Sequence, residues 1–174
     1  MRTAGSYEST RLHTLSDTTE RAVILPLPKA TSSLSIGTLG FIPVTSGELV
    51  ELSCAYANTL DLSGGNSIIF DAVLCGYFAD LSNEFEETLP WELPEGDEFV
   101  SGLTLNLLLD GKLVESETFT VSFAVPEGME ASDFAVLAWD AETSRWVEVG
   151  DVTVSDGFVT VTVDYPGTFV LVAR

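Results

Sequence analysis

The chain has 174 residues, 45% of them hydrophobic, and a formal net charge of −20 from 27 acidic and 7 basic side chains. That apolar fraction supports a packed core and argues against a disordered body. So negative a field excludes nucleic acid as a partner, because phosphate binding needs clustered Lys and Arg, and no apolar run approaches the length of a membrane span.

The charge is uneven along the chain. Residues 1–30 hold four basic residues against three acidic ones, a net +1, whereas residues 31–174 hold three against 24, a net −21. This split sets an N-terminal arm, 1–30, apart from a body, 31–174. Met1 to Glu20 are mostly small and polar, with no helical or strand period. Then comes a short apolar segment, Ala22-Val23-Ile24-Leu25-Pro26-Leu27-Pro28. It is too short and too late for the apolar region of a signal peptide, and Glu20 precedes it, so no signal peptide is visible. His13, the single histidine, stands in the arm with no Ser or Cys partner in a recognisable motif.

Laid out straight, the arm reaches about 100 Å at roughly 3.3 Å per residue, far enough to touch another subunit. Val23, Ile24, Leu25 and Leu27 would be costly to leave in water: burying them is worth about 6–12 kcal/mol together. Pro26 and Pro28 cannot donate ladder hydrogen bonds, which suits an edge strand. Two outcomes stay open: a strand donated to a neighbouring subunit, or a first strand packed on its own domain.

The body reads as strands. Leu34–Val44 and Leu49–Asn58 come first, and Ser63-Gly64-Gly65-Asn66 then separates Leu49–Asn58 from Ser67–Phe78. Cys54 and Cys75 each lie ten residues from the nearer glycine of that turn. In a regular hairpin they would be cross-strand neighbours within bonding distance. A bond would imply an oxidising compartment or an exposed particle; the alternative is two small buried hydrophobes.

Residues 82–98 form one long irregular connection. Glu84, Glu86, Glu87, Glu92, Glu95, Asp97 and Glu98 put seven carboxylates in fifteen residues, interleaved with Leu89, Trp91 and Leu93. Hard oxygen ligands at this density can take Ca²⁺, and Glu84, Glu86, Glu87, Glu95, Asp97 and Glu98 are the candidate ligands. The spacing is not that of an EF-hand. The other reading is a solvated acidic loop pinned by Trp91. No pair is singled out as a glycosidase acid and nucleophile, and no other cofactor is implied.

Asp110-Gly111 links Leu103–Leu109 to Lys112–Val125, with a phase change between Thr118 and Phe119 that predicts a β-bulge. Pro126-Glu127-Gly128 is a candidate sub-boundary, but four strands beyond it would make a thin core. Phe134–Asp140 and Arg145–Val149 pair about a short turn, which sets Trp139 opposite Trp146. These indoles are either a flat platform for a sugar ring or a subunit, or a cross-strand pair covering a half-exposed face. Val136, Ala138, Val147 and Val149 take the core side. Asp156-Gly157 is a strong hairpin signal that sets Val154 opposite Val159 and Val152 opposite Val161. Thr168–Ala173 closes the chain.

About nine strands at even spacing, with little helix, predict an all-β fold. It would be an antiparallel two-sheet β-sandwich, of jelly-roll or Ig-like type, with an extended N-terminal arm. Trp139 and Trp146 in their hairpin, Asp156-Gly157-Phe-Val-Thr-Val-Thr-Val163 and Gly167-Thr-Phe-Val-Leu-Val172 resemble the closing strands of ZU5-type bacterial surface β-sandwich modules. Where some of those modules cleave themselves at His-Phe-Ser, this chain has Tyr165-Pro166-Gly167-Thr168, so self-cleavage is not implied. The resemblance implies a cell-surface or adaptor module that binds rather than catalyses.

The functional expectation is a non-enzymatic structural subunit of an extracellular filament, cell-surface layer or virion. Its partners would be copies of itself, met head to tail through a basic arm and an acidic body. The alternative is a carbohydrate- or calcium-binding surface module.

Overall fold

The computed structural model describes residues 40–129 and 134–174. The arm, including Val23, Ile24, Leu25 and Leu27, and the start of the expected strand Leu34–Val44 lie outside the described residues.

The described chain is a β-sandwich. In order the strands are β1 (Phe41–Val44), β2 (Glu48–Glu51), β3 (Thr59–Leu62), β4 (Ser67–Ile69), β5 (Tyr77–Glu84), β6 (Glu98–Leu109) and β7 (Lys112–Leu113). There follow β8 (Phe119–Ala124), β9 (Phe134–Asp140), β10 (Arg145–Glu148), β11 (Thr153–Ser155), β12 (Phe158–Val163) and β13 (Gly167–Ala173). One six-stranded sheet, called sheet I here, runs β1-β3-β4-β8-β12-β11. The other, sheet II, has seven strands and runs β10-β9-β13-β6-β5-β2, with β7 paired to β6. The single helical element among the described residues is a 3-10 turn, Glu86–Thr88. Strands from both sides of residues 126–128 share each sheet, since β12 pairs with β8 and β13 with β6.

The core follows from period-2 alternation. Leu103, Leu105 and Leu107 of β6 face Val121 and Phe123 of β8 and Val159 and Val161 of β12, all buried. Phe119 packs on Phe70 at 5.7 Å and edge-on to Phe169 at 6.2 Å between ring centres. Each of these rings excludes a large apolar area from water.

The two Asp-Gly turns form as expected, with Asp110, Gly111, Asp156 and Gly157 all at the positive φ angles of a type I′ turn. Their hairpins differ in extent. Val154 pairs with Val159 in the expected register. By contrast, the hairpin at Asp110-Gly111 lasts for two residues, Lys112 and Leu113, before the chain crosses to sheet I. The phase change near Thr118 therefore marks a crossover rather than a bulge. A register shift occurs instead in β13, between Leu171 and Val172.

The expected long hairpin about Gly64-Gly65 is likewise replaced by two shorter pairings. β3 pairs with β4 around that turn, while β2 pairs with β5 in the opposite sheet. Asn58 makes the corner between them: its Oδ1 accepts the Ser53 N–H at 3.2 Å, and its Nδ2 donates to the Tyr56 carbonyl at 3.1 Å. The side chain thus satisfies a bent backbone that no ladder could serve. Gly65 is required in the turn, since a Cβ there would lie 2.6 Å from the Ala124 Cβ. The sheets are also not purely antiparallel, because β1 enters sheet I parallel to β3.

Candidate functional site

Cys54 and Cys75 are bonded, with Cα atoms 4.3 Å apart. They sit just beyond the β2–β5 ladder, where the Leu52 N–H donates to the Tyr77 carbonyl. The pair therefore joins the segment leaving β2 to the one entering β5, outside the ladder, and is not part of a single regular hairpin about the glycine turn.

Trp139 and Trp146 are direct cross-strand partners. Their rings meet edge to face, 5.3 Å apart and inclined by 65°, so they form no flat platform. The Trp146 indole N–H donates to the Trp91 carbonyl at 3.3 Å. Both indoles are half-buried and Glu148 beside them is exposed, as expected of this face. Ala135, Leu137, Val170 and Val172 are buried on it as a second small core. Leu89, Leu93, Phe99 and Trp146 cover this cluster.

The acidic segment is thus a strap over the outside of sheet II. Leu89 and Leu93 hold it down, whereas the Trp91 side chain, expected to be the pin, is 65% exposed. Its carboxylates do not converge. Glu84 accepts hydrogen bonds from Thr88 and Thr104. Asp97 pairs with Arg174 at 2.9 Å, and the same guanidinium reaches Glu148 at 2.9 Å. Glu86, Glu87, Glu95 and Glu98 are exposed. Among the described residues no group of three or more His, Cys, Asp or Glu side chains is placed to hold a metal ion. Val147 pairs with buried Ala138 on the core side, as expected, but at the sheet edge it is 38% exposed.

Among the described residues three ionisable groups are displaced from their ordinary values. The Thr143 hydroxyl and backbone N–H hold Asp140 low, with help from the Glu142 N–H. Burial pushes the Tyr165 phenol up, aided by Asp164. Hydrogen bonds to Asp97 and Glu148 push Arg174 up. Asp140 is a turn cap and Arg174 a strap clamp.

A groove of about 750 Å³ lies between Leu107, Val114, Ala138, Trp139, Val147 and Tyr165. Asn106, Asp140 and Glu142 also reach it.

Sheet I differs from all of this. Its outward-facing residues fall into cross-strand rows. One is Phe41, Thr59, Ile69, Thr120 and Thr162; the next is Pro43, Asp61, Ser67, Ser122, Thr160 and Thr153. A shorter row holds Ala124, Phe158 and Ser155. Asp61 is the one charged residue in these rows, on a chain of net charge −20. The hydroxyls bond to one another and to the backbone, as Thr120 does with Thr162 and Thr160 with the Thr153 carbonyl. On the outer face of sheet II, by comparison, stand Glu51, Asp80, Glu84 and Glu148.

The edges repeat the contrast. Edge strands β2 and β10 of sheet II carry Glu48, Glu51, Arg145 and Glu148. Edge strands β1 and β11 of sheet I carry no charge. Charged side chains and proline are the usual guards against edge-to-edge pairing; β1 has Pro43, whereas β11 has neither.

No family model matches the chain, and no curated protein matches its sequence. Its surface chemistry is therefore the guide to what it does. The hydroxyl rows and neutral edges were not singled out in the sequence reading. The signal was present in Thr120-Val-Ser122, Thr153-Val-Ser155 and Thr160-Val-Thr162, whose alternation leaves only uncharged residues outside. Pairing was needed to place these three segments side by side.

Proposed function

We propose that this chain is a non-enzymatic structural subunit that assembles with copies of itself, outside the cell or on a virion, with its N-terminal arm contacting the neighbouring subunit. The observation that carries the reading is the neutrality of sheet I. Copies bearing 24 carboxylates on residues 31–174 repel one another. A side nearly free of charge, with uncharged edges, is where close approach costs least. The arm, net +1 against −21 on residues 31–174, brings four large apolar side chains, Val23, Ile24, Leu25 and Leu27.

The disulfide supports an oxidising setting. The resemblance of the last fifty residues to ZU5-type surface modules supports a role in binding rather than catalysis. Size-exclusion chromatography and negative-stain microscopy of the full chain and of a chain lacking residues 1–30 test the reading. Assembly of the full chain alone supports it, and equal assembly of both sinks it.

A second reading, a carbohydrate-binding module, is favoured by the groove, where Trp139 and Tyr165 stand near Asn106 and Glu142. A glycan array and a calcium titration test this alternative and its metal-dependent form.

A further inference from the structure

We infer that the open edge of β11 is the acceptor for residues 22–28 of a second copy, added as a strand beside Val154; this rests on the assembly reading above and names its contact. Three observations lead there.

The first is an unfinished core row. Phe123, Val159 and Val154 are consecutive cross-strand partners pointing into the sandwich. Phe123 and Val159 are fully buried, whereas Val154 is 37% exposed at the edge. An added strand would place an apolar side chain beside Val154 and extend the row.

The second is the direction of the free backbone groups. In a two-residue hairpin the residues flanking the turn form the hydrogen-bonded pair, here Ser155 and Phe158. Thr153 and Ser155 thus direct their N–H and C=O groups to β12, and Val154 directs its own to the open edge. Among the described residues no strand pairs with this edge, so Val154 offers a donor and an acceptor beside its unfinished apolar row. The opposite edge, β1, contains Pro43 and so lacks a donor.

The third is the parity of the prolines in Ala22–Pro28. Backbone groups of a strand alternate between its two sides. Pro26 and Pro28, two residues apart, therefore remove donors from one side only, that of residues 22, 24, 26 and 28. The other side keeps the N–H groups of Val23, Leu25 and Leu27 for pairing. A strand of this pattern can dock on β11 through one side and stop further addition on the other, which limits each edge to one donor. Its flanks, Arg21 and Lys29, are cations that suit Asp151 and Asp156, the carboxylates flanking the uncharged β11 in the chain.

The test uses the full chain. A photo-crosslinking p-benzoyl-phenylalanine is placed at position 154, with position 49 on β2 as the control, and the products are digested with trypsin. Trypsin releases the donor segment as residues 22–29, between Arg21 and Lys29. The expected product joins this peptide to position 154, in assembled species only, and not to position 49. A proline scan supplies a second readout by sedimentation. Leu25→Pro should weaken assembly about 3–10-fold relative to Leu25→Ala, the loss of one hydrogen bond, while Ile24→Pro should match Ile24→Ala.

A crosslink to another peptide, a crosslink in monomers, or equal proline effects at positions 24 and 25 would overturn this acceptor. Should Leu25→Asp abolish assembly while position 154 captures nothing, the assembly reading survives and the β11 contact fails. Should Leu25→Asp leave assembly unchanged, both fail.

Discussion

Asn66 and Ser101 exchange hydrogen bonds across the sandwich. The Asn66 Nδ2 donates to the Ser101 Oγ at 2.8 Å, and the Ser101 hydroxyl lies 3.1 Å from the Asn66 Oδ1. Asn66 belongs to the β3–β4 turn of sheet I and Ser101 to β6 of sheet II. Asn83 of β5 accepts a further bond from the same amide at 3.2 Å. The amide is 3% exposed, so it ties the two layers where no water competes.

Replacing Asn66 by Ala should therefore destabilise the fold by about 1–3 kcal/mol, the cost of leaving buried polar partners unmet. Urea denaturation followed by tryptophan fluorescence measures it. Stability unchanged within about 0.5 kcal/mol would show that the layers are held by apolar packing alone.

The Cys54–Cys75 bond closes a loop that contains the whole β3–β4 hairpin. Reduction, or the paired change Cys54→Ser with Cys75→Ser, should cost about 3 kcal/mol. Thermal unfolding with and without reductant reads this as a drop in Tm.

Leu93→Asp should release the acidic strap without unfolding the sandwich, because Leu93 covers the small outer core and not the main one. Hydrogen exchange should rise across residues 85–97 while β6 and β13 stay protected. Loss of protection throughout would mean that the strap is part of the main folding unit. Arg174→Gln should cost about 1–3 kcal/mol, because it leaves the Asp97 side chain, only 9% exposed, without its partner.

These outcomes bear on how far the chain could be read without coordinates. Alternation alone placed Phe134–Asp140, Arg145–Val149 to within one residue of β10, and the hairpin at Asp156-Gly157, because short loops force neighbouring strands to pair. It failed where the chain changes sheet. Lys112 to Phe119 keeps strand-like composition across a crossover, and the corner at Asn58 depends on one side-chain amide that no periodicity reveals. The strap was recognisable as acidic but not as a cover. Leu89 and Leu93 look like minor members of a charged run until Leu137 and Val170 are seen beneath them. For the candidate site, the cysteine pair and the Trp139–Trp146 register were legible, whereas the neutral face was not. It is assembled from residues of six strands that touch only once the sheet is formed.

Asp140 gives a pH dependence. Its side chain accepts hydrogen bonds from the Glu142 and Thr143 N–H groups and from the Thr143 hydroxyl. These bonds favour the carboxylate and lower its pKa, so their stabilising effect is present above the ordinary aspartate value. It is lost as pH falls through the depressed one. The amide resonances of Glu142 and Thr143 should shift in that acid range, and in Asp140→Asn the transition should vanish. A transition near or above the ordinary value would contradict the capping role.

The central claim is that an acidic sandwich assembles through its own arm. Sedimentation velocity of the full chain against its Leu25→Asp variant tests this most directly. The account predicts concentration-dependent oligomers for the full chain and monomers for the variant, with the same far-ultraviolet circular dichroism for both. Identical sedimentation of the two chains would contradict it.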